Sequence, residues 1–202
     1  MKPWDQLADI QTVKHYIQAL KTNGIDAKLV EVKKVKEKVL SFIPKGAEVM
    51  TNTSVTLTDL GIDVAINQSG NYNAIRDKLY AMDRKTQGQE RNKLGAAPQF
   101  SLGSVHAVTQ DGKVLIASNS GSQLPQYAYG AGKVIWVVGT QKIVKDTDEG
   151  IKRIYEYCLP LESQRAQKAY GVTSGVSKLL IINKEKVPGR ITLIFVNKKL
   201  GF

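Results

Sequence analysis

The stretch "KVIWVVG", Lys133–Gly139, decides the fold. Residues 134–138 are all apolar, and four of the five are β-branched. A strand with one wet face alternates polar and apolar residues. A strand apolar on both faces is covered on both, the condition of a central strand in a parallel sheet. The run is also far short of the roughly 20 residues that span a bilayer, as is the second marked apolar run, residues 179–182.

Outward from this strand the chain alternates strand and helix. Leu7, Ile10, Val13, Ile17 and Leu20 recur every three or four residues, which predicts a helix over about 5–22 closed by Gly24. "DAKLVEV" reads as a strand, and "VKEKVLSFIP" as a helix with Val35, Val39, Leu40 and Ile43 inward. "GAEVMT" reads as a strand, "NTSVTLTDLG" as a short helix and "IDVAIN" as a further strand. Residues 67–99 are polar and helical in tendency, and are expected as one or two helices over the sheet. "SLGSVHAVT" and "KVLIAS", joined by "QDGK", read as a hairpin, because Asp-Gly fits a tight turn. "LPQYAYGAG" reads as a short helix. Past Gly139, a helix begins at Asp146 or Thr147, with Ile151, Ile154, Tyr155 and Cys158 inward and Pro160 after it. "KLLIINKEKVPGRITLIFVN" gives two strands about a "VPG" turn. The expectation is one domain over 1–202 with an α/β fold. Its sheet is three-layer α/β/α and Rossmann-like, mostly parallel with at least one antiparallel element.

The net charge of +11 invites a nucleic-acid reading, yet the excess is spread thinly, with no Arg-rich run. Residues 67–99 hold six Lys/Arg against three Asp/Glu. Nucleic acid is not the expected partner; a basic pocket for a small anionic metabolite fits the same numbers. "MKPWDQLADI" has no apolar leader core, so a cytoplasmic protein with no membrane span is expected. The lone Cys158 allows no internal disulfide, and two histidines without a carboxylate cluster make no metal site.

Three strand ends carry the same chemistry. They are Thr51, Asn52, Thr53 and Ser54; then Ser118, Asn119, Ser120, Gly121 and Ser122; then Gly139, Thr140, Gln141 and Lys142. In open α/β sheets ligands bind beyond the carboxyl ends of strands. Helix starts there offer unpartnered N–H groups to an anion, and Lys142 adds charge. Each loop alone reads as a helix cap; together they read as one site. His106, in "SVHAV", is a weak candidate for a general base, with a hydrogen-bonded structural histidine as the plainer reading. Glu162 and Arg165 read as a surface helix pair, and Cys158 as a small hydrophobe. No Walker loop or dinucleotide fingerprint is present.

Several segments together resemble the LUD-domain family, named for a lactate-utilisation component. These are "IPKGAEVMTNTSVTLTDLGI", "NYNAIRDKLYAMDR", "SLGSVHAVTQDGKVLIASNSGSQL", "YGAGKVIWVVGTQKIVKDTDEGIKRI" and "ITLIFVNKKLGF". The resemblance covers nearly the whole chain. It implies a Rossmann-like fold akin to the sugar-isomerase and CoA-transferase superfamily, and a place in lactate or organic-acid utilisation beside iron–sulfur partner proteins. "TNTS" lacks the isomerases' Gly-x-Gly, and the cysteine cluster of many members is missing after "LPL". The first functional reading is a binder of a small phosphate-, carboxylate- or nucleotide-bearing anion. The alternatives are a non-catalytic subunit docking an iron–sulfur partner, and an acyl- or phosphosugar-converting enzyme. No cofactor is named by these residues, and a homo-oligomer is left open.

Overall fold

The computed structural model describes residues 4–202. The reading of the N-terminus as free of a leader falls partly on residues 1–3, outside the described residues. The helix expected from about 5 starts later, as α1 (Ile10–Thr22), because the Asp9 side chain accepts from Thr12 N–H and sets the cap there. Then follow β1 (Asp26–Leu29), α2 (Val35–Leu40), β2 (Glu48–Thr51) and α3 (Val55–Asp59).

"IDVAIN" is not a strand. It forms α4 (Ile62–Asn67), with Ile62 and Ile66 buried and Val64 half exposed. The i, i+4 spacing of those isoleucines satisfies a helix as well as the alternation satisfied a strand. Gly61, at φ 60°, supplies the left-handed residue that breaks α3 from α4. The polar segment gives β3 (Asn73–Ala74) and two helices, α5 (Ile75–Ala81) and α6 (Gly88–Ala96).

β4 (Phe100–Gly103), β5 (Ala107–Thr109), β6 (Val114–Ser118), β7 (Lys133–Gly139) and β8 (Ile143–Val144) follow. α7 (Thr147–Arg153), α8 (Leu159–Tyr170), β9 (Lys178–Ile182) and β10 (Ile191–Val196) complete the chain. Six strands form a parallel sheet in the order β1-β10-β7-β4-β2-β3. β7 lies inside it, as its apolar run requires. Val134, Trp136 and Val138 pack on one side with α1 and Val108, Val114 and Ile116 of the second sheet. Ile135 and Val137 pack on the other with α2, α3 and α4. The result is a three-layer α/β/α, Rossmann-like arrangement.

The antiparallel element is the second sheet, β8-β5-β6-β9, in which β6 runs antiparallel to β5 and β9. The Asp-Gly hairpin is present, with Gly112 at φ 79°. "SLGSVHAVT" is two strands, however, one in each sheet, with His106 in the crossing between them. β9 and β10 likewise lie in different sheets rather than pairing about "VPG". Pro160 does not end the helical run. A π-helical turn at Ile154–Cys158 joins α7 to α8 and leaves Pro160 in the first turn of α8, where its missing N–H is tolerated. Tyr155, expected inward, is exposed; Ile154 and Cys158 are buried.

Candidate functional site

From neighbouring strands the chain departs to opposite faces. After β2 it enters α3 on one side of the parallel sheet; after β4 it crosses to the second sheet on the other. Such a reversal opens a crevice at the carboxyl ends. A cavity of about 970 Å³ lies there.

Asn52, Thr53 and Ser54 line it, as do Ser118, Asn119, Ser120 and Ser122, and Lys142. Five of the expected contacts lie elsewhere. Thr51 is buried, with Oγ1 donating to Asn67 Oδ1. Gly121 N–H donates to Ser118 Oγ at 2.8 Å inside its own loop. Gly139 leads into a 3-10 turn beside the chain's last residues, where Thr140 Oγ1 donates to Asn197 Oδ1 and Gln141 Nε2 to Leu200 O, both at 2.9 Å.

The lining loops are largely occupied with themselves. Ser118 Oγ donates to Gln123 Oε1 at 2.9 Å, and Ser122 N–H donates to Ser120 Oγ. Ser54 caps α3, five residues long, by accepting from Leu57 N–H. Asn52 Nδ2 sits within 3.0–3.2 Å of Ser101 Oγ, Leu102 O, Gln126 Oε1 and Tyr127 OH. Gly103 makes this network fit, since a Cβ there would sit 1.8 Å from the Tyr127 hydroxyl. These polar tips hold the sheet ends in shape.

Most of the charge comes from other segments. Arg76, Arg84, Arg91, Arg165 and Lys142 line the cavity, against one acidic side chain among the described residues, Glu162. Arg76 donates to Thr51 O at 2.9 Å and Thr53 Oγ1 at 3.1 Å, with its guanidinium over the Tyr80 ring. Arg91 donates to the carbonyls of Leu79 and Met82, tying α6 to α5. Those acceptors are neutral and bring no counter-charge. Glu162 and Arg165 are the expected helix pair, a two-pronged bridge with both contacts 2.7 Å, and the pair lies in the cavity wall. The arginines of α5, α6 and the turn between them were invisible as a set in the sequence. Six Lys/Arg in 67–99 was the one available signal.

Lys142 is 2% exposed. Nζ donates to Ser104 Oγ at 3.1 Å and Thr56 Oγ1 at 3.5 Å, and no carboxylate lies within ion-pair distance among the described residues. Burial, and then the nearby Arg153 guanidinium, push its pKa down to about 7. Arg153 is fully buried, donating to His106 O and, at 2.9 Å, to Cys158 Sγ, with its charge over the Tyr157 ring. Burial pushes the Cys158 thiol up, so it stays protonated.

His106 accepts from Ala117 N–H at Nδ1, 3.1 Å away. Burial, with Lys142 and Arg153 nearby, lowers its pKa to about 3. The ring is neutral and its proton sits on Nε2. It is placed as a hydrogen-bond donor, in keeping with the plainer reading of a hydrogen-bonded histidine. No group of three or more His, Cys, Asp or Glu that could hold a metal occurs among the described residues. Nor is any helix among them long and apolar enough to cross a membrane.

No curated protein matches this chain. The crystal structure of a DUF162 family protein from Deinococcus radiodurans is similar, with a TM-score of 0.58 at 11% identity, covering 95% of this chain and 99% of that one. At that identity the likeness is one of fold. The family model described as "LUD domain" matches residues 13–196. The chain therefore belongs to the LUD-domain family.

Proposed function

We propose that the cavity binds a small organic anion bearing a carboxylate or phosphate. The observation that carries this reading is the charge of the wall: four arginines and Lys142 face one acidic side chain, and Lys142 is buried with no carboxylate at ion-pair distance among the described residues. Charge removed from water is tolerated when something of opposite sign compensates it. The size of the cavity falls within the range of sites for drug-sized ligands and exceeds what a three-carbon acid fills. A nucleotide-sized anion, or a small acid with a second ligand, fits it better. The neutral His106 Nε2–H supplies a directional donor to such a ligand. Family membership supports a role in lactate or other organic-acid utilisation, in concert with redox partner proteins.

Calorimetric titration with 2-hydroxy acids, nucleotides, CoA and sugar phosphates tests the reading. Arg84 has no protein partner among the described residues, so Arg84→Ala removes charge from the wall without breaking a contact. It should weaken the best anion roughly tenfold, the worth of one charged hydrogen bond. Anions that leave wild type and variant equally unbound would refute the proposal.

A further inference from the structure

Resting on the anion reading of the same cavity, we infer that Lys142 is an amine nucleophile for the carbonyl carbon of an anionic aldehyde or ketone, with which it forms an imine. Four features separate it from the arginines around it. A guanidinium keeps its proton in proteins, whereas an ammonium can lose one and attack. Lys142 is held only by hydroxyls, so no carboxylate fixes its proton. Those hydroxyls differ: Thr56 Oγ1 donates to Leu200 O at 3.1 Å and so only accepts from the amine. Ser104 Oγ has Lys142 as its sole side-chain partner among the described residues and is free to pass a proton either way. Burial and Arg153 favour the neutral amine near pH 7.

The chemistry balances within these groups. The Nζ lone pair bonds to the carbonyl carbon, and the C=O electron pair moves to oxygen, which His106 Nε2–H is able to hydrogen-bond. One proton passes from nitrogen to that oxygen by way of Ser104. The second amine proton passes the same way to the resulting hydroxyl, water leaves, and the C=N bond forms. Arg76 and Arg84 hold the anionic end of the ligand. Carboxylate and phosphate share the needed chemistry, and paired aldehyde probes tell them apart.

The intact protein is incubated with glyoxylate or with glycolaldehyde phosphate and sodium cyanoborohydride, then digested and mapped by mass spectrometry. The expected result is one reduced adduct on the Lys142 peptide, from one probe more than the other, and weaker labelling by propionaldehyde, which has no charge. Lys142→Arg keeps the charge and loses the adduct. Ser104→Ala keeps the amine and slows trapping roughly a hundredfold or more, the usual worth of positioned proton transfer. Should Lys142→Arg fail to fold, mapping of the wild-type protein and the Ser104→Ala rate carry the test. Melting temperatures with phosphate and acetate are recorded in parallel. Stabilisation by anions with labelling only of surface lysines overturns the nucleophile and leaves anion binding standing. Equal labelling of Lys142 by propionaldehyde overturns the anionic character of the ligand. Neither stabilisation nor adduct overturns both.

Discussion

Residues 118–123 and 76–91 both line the cavity, and their side chains are occupied in different ways. In the first segment Ser118 bonds to Gln123 and to Gly121 N–H, and Ser120 to Ser122, so hydroxyls meet local partners within five residues of themselves. In the second, Arg76 reaches back to the end of β2 and Arg84 meets no protein partner. Short polar side chains satisfy the backbone beside them. Long cationic side chains carry charge several ångströms from where they are anchored. The loop that looks most like a binding motif bonds largely to itself. The helical segment that looks least like one carries three of the wall's arginines.

That contrast can be broken by substitutions whose effects fall in a definite order. The largest is at the cavity floor. Lys142→Met replaces a buried amine that has no counter-ion with an apolar side chain and should raise stability by about 1–4 kcal/mol at pH 7, measured by urea denaturation. Its pH signature has a fixed sign. Lys142 has a folded pKa of about 7 against 10.5 unfolded, so between those values the unfolded chain binds the extra proton. Wild-type stability therefore rises with pH from 7 to 9, and Lys142→Met should flatten that slope. A parallel slope in both proteins would mean that Lys142 is fully charged or solvated.

Next comes the close approach under Asn52. Gly103→Ala places a Cβ against the Tyr127 hydroxyl and should cost about 1–3 kcal/mol, with anion binding lost as the Asn52 network shifts. An unchanged melting temperature would show that Tyr127 has room to move. Ser118→Ala removes the acceptor for Gly121 N–H and should cost about 1 kcal/mol while ligand affinity stays within a factor of two or three. A large loss of affinity with intact stability would instead make that loop a ligand contact. The smallest effect on stability belongs to Arg84→Ala, within about 0.5 kcal/mol of wild type, the usual range for an exposed site. The same variant should give the clearest loss of anion affinity in this series relative to its effect on folding.

Much of the fold was legible because burial writes itself into local patterns. Val134, Trp136 and Val138 face one core and Ile135 and Val137 the other, so an unbroken apolar run could only be a covered strand. Asp146 was readable as a cap, and it accepts from Glu149 N–H. Where a pattern served two geometries, the reading failed: Ile62 and Ile66 fit both an alternating strand and one helix face. Strands adjacent in sequence could be recognised, but not the sheet each would join, since β9 and β10 separate only through pairings made at long range.

The candidate site divides in the same way. Sequence placed Asn52, Ser118 and Lys142 near strand ends, and all three line the cavity. It put no special weight on Arg153, whose full burial behind His106 helps to lower the pKa of Lys142 and of that histidine. The sequence by itself determined which segments are strands with two covered faces and which residues are able to carry charge. Only the tertiary structure decided which charges lose their water and which polar groups find partners. Desolvation and hydrogen bonding depend on neighbours tens of residues away, as Lys142 meeting Ser104 and Thr56 shows, and no local pattern records them.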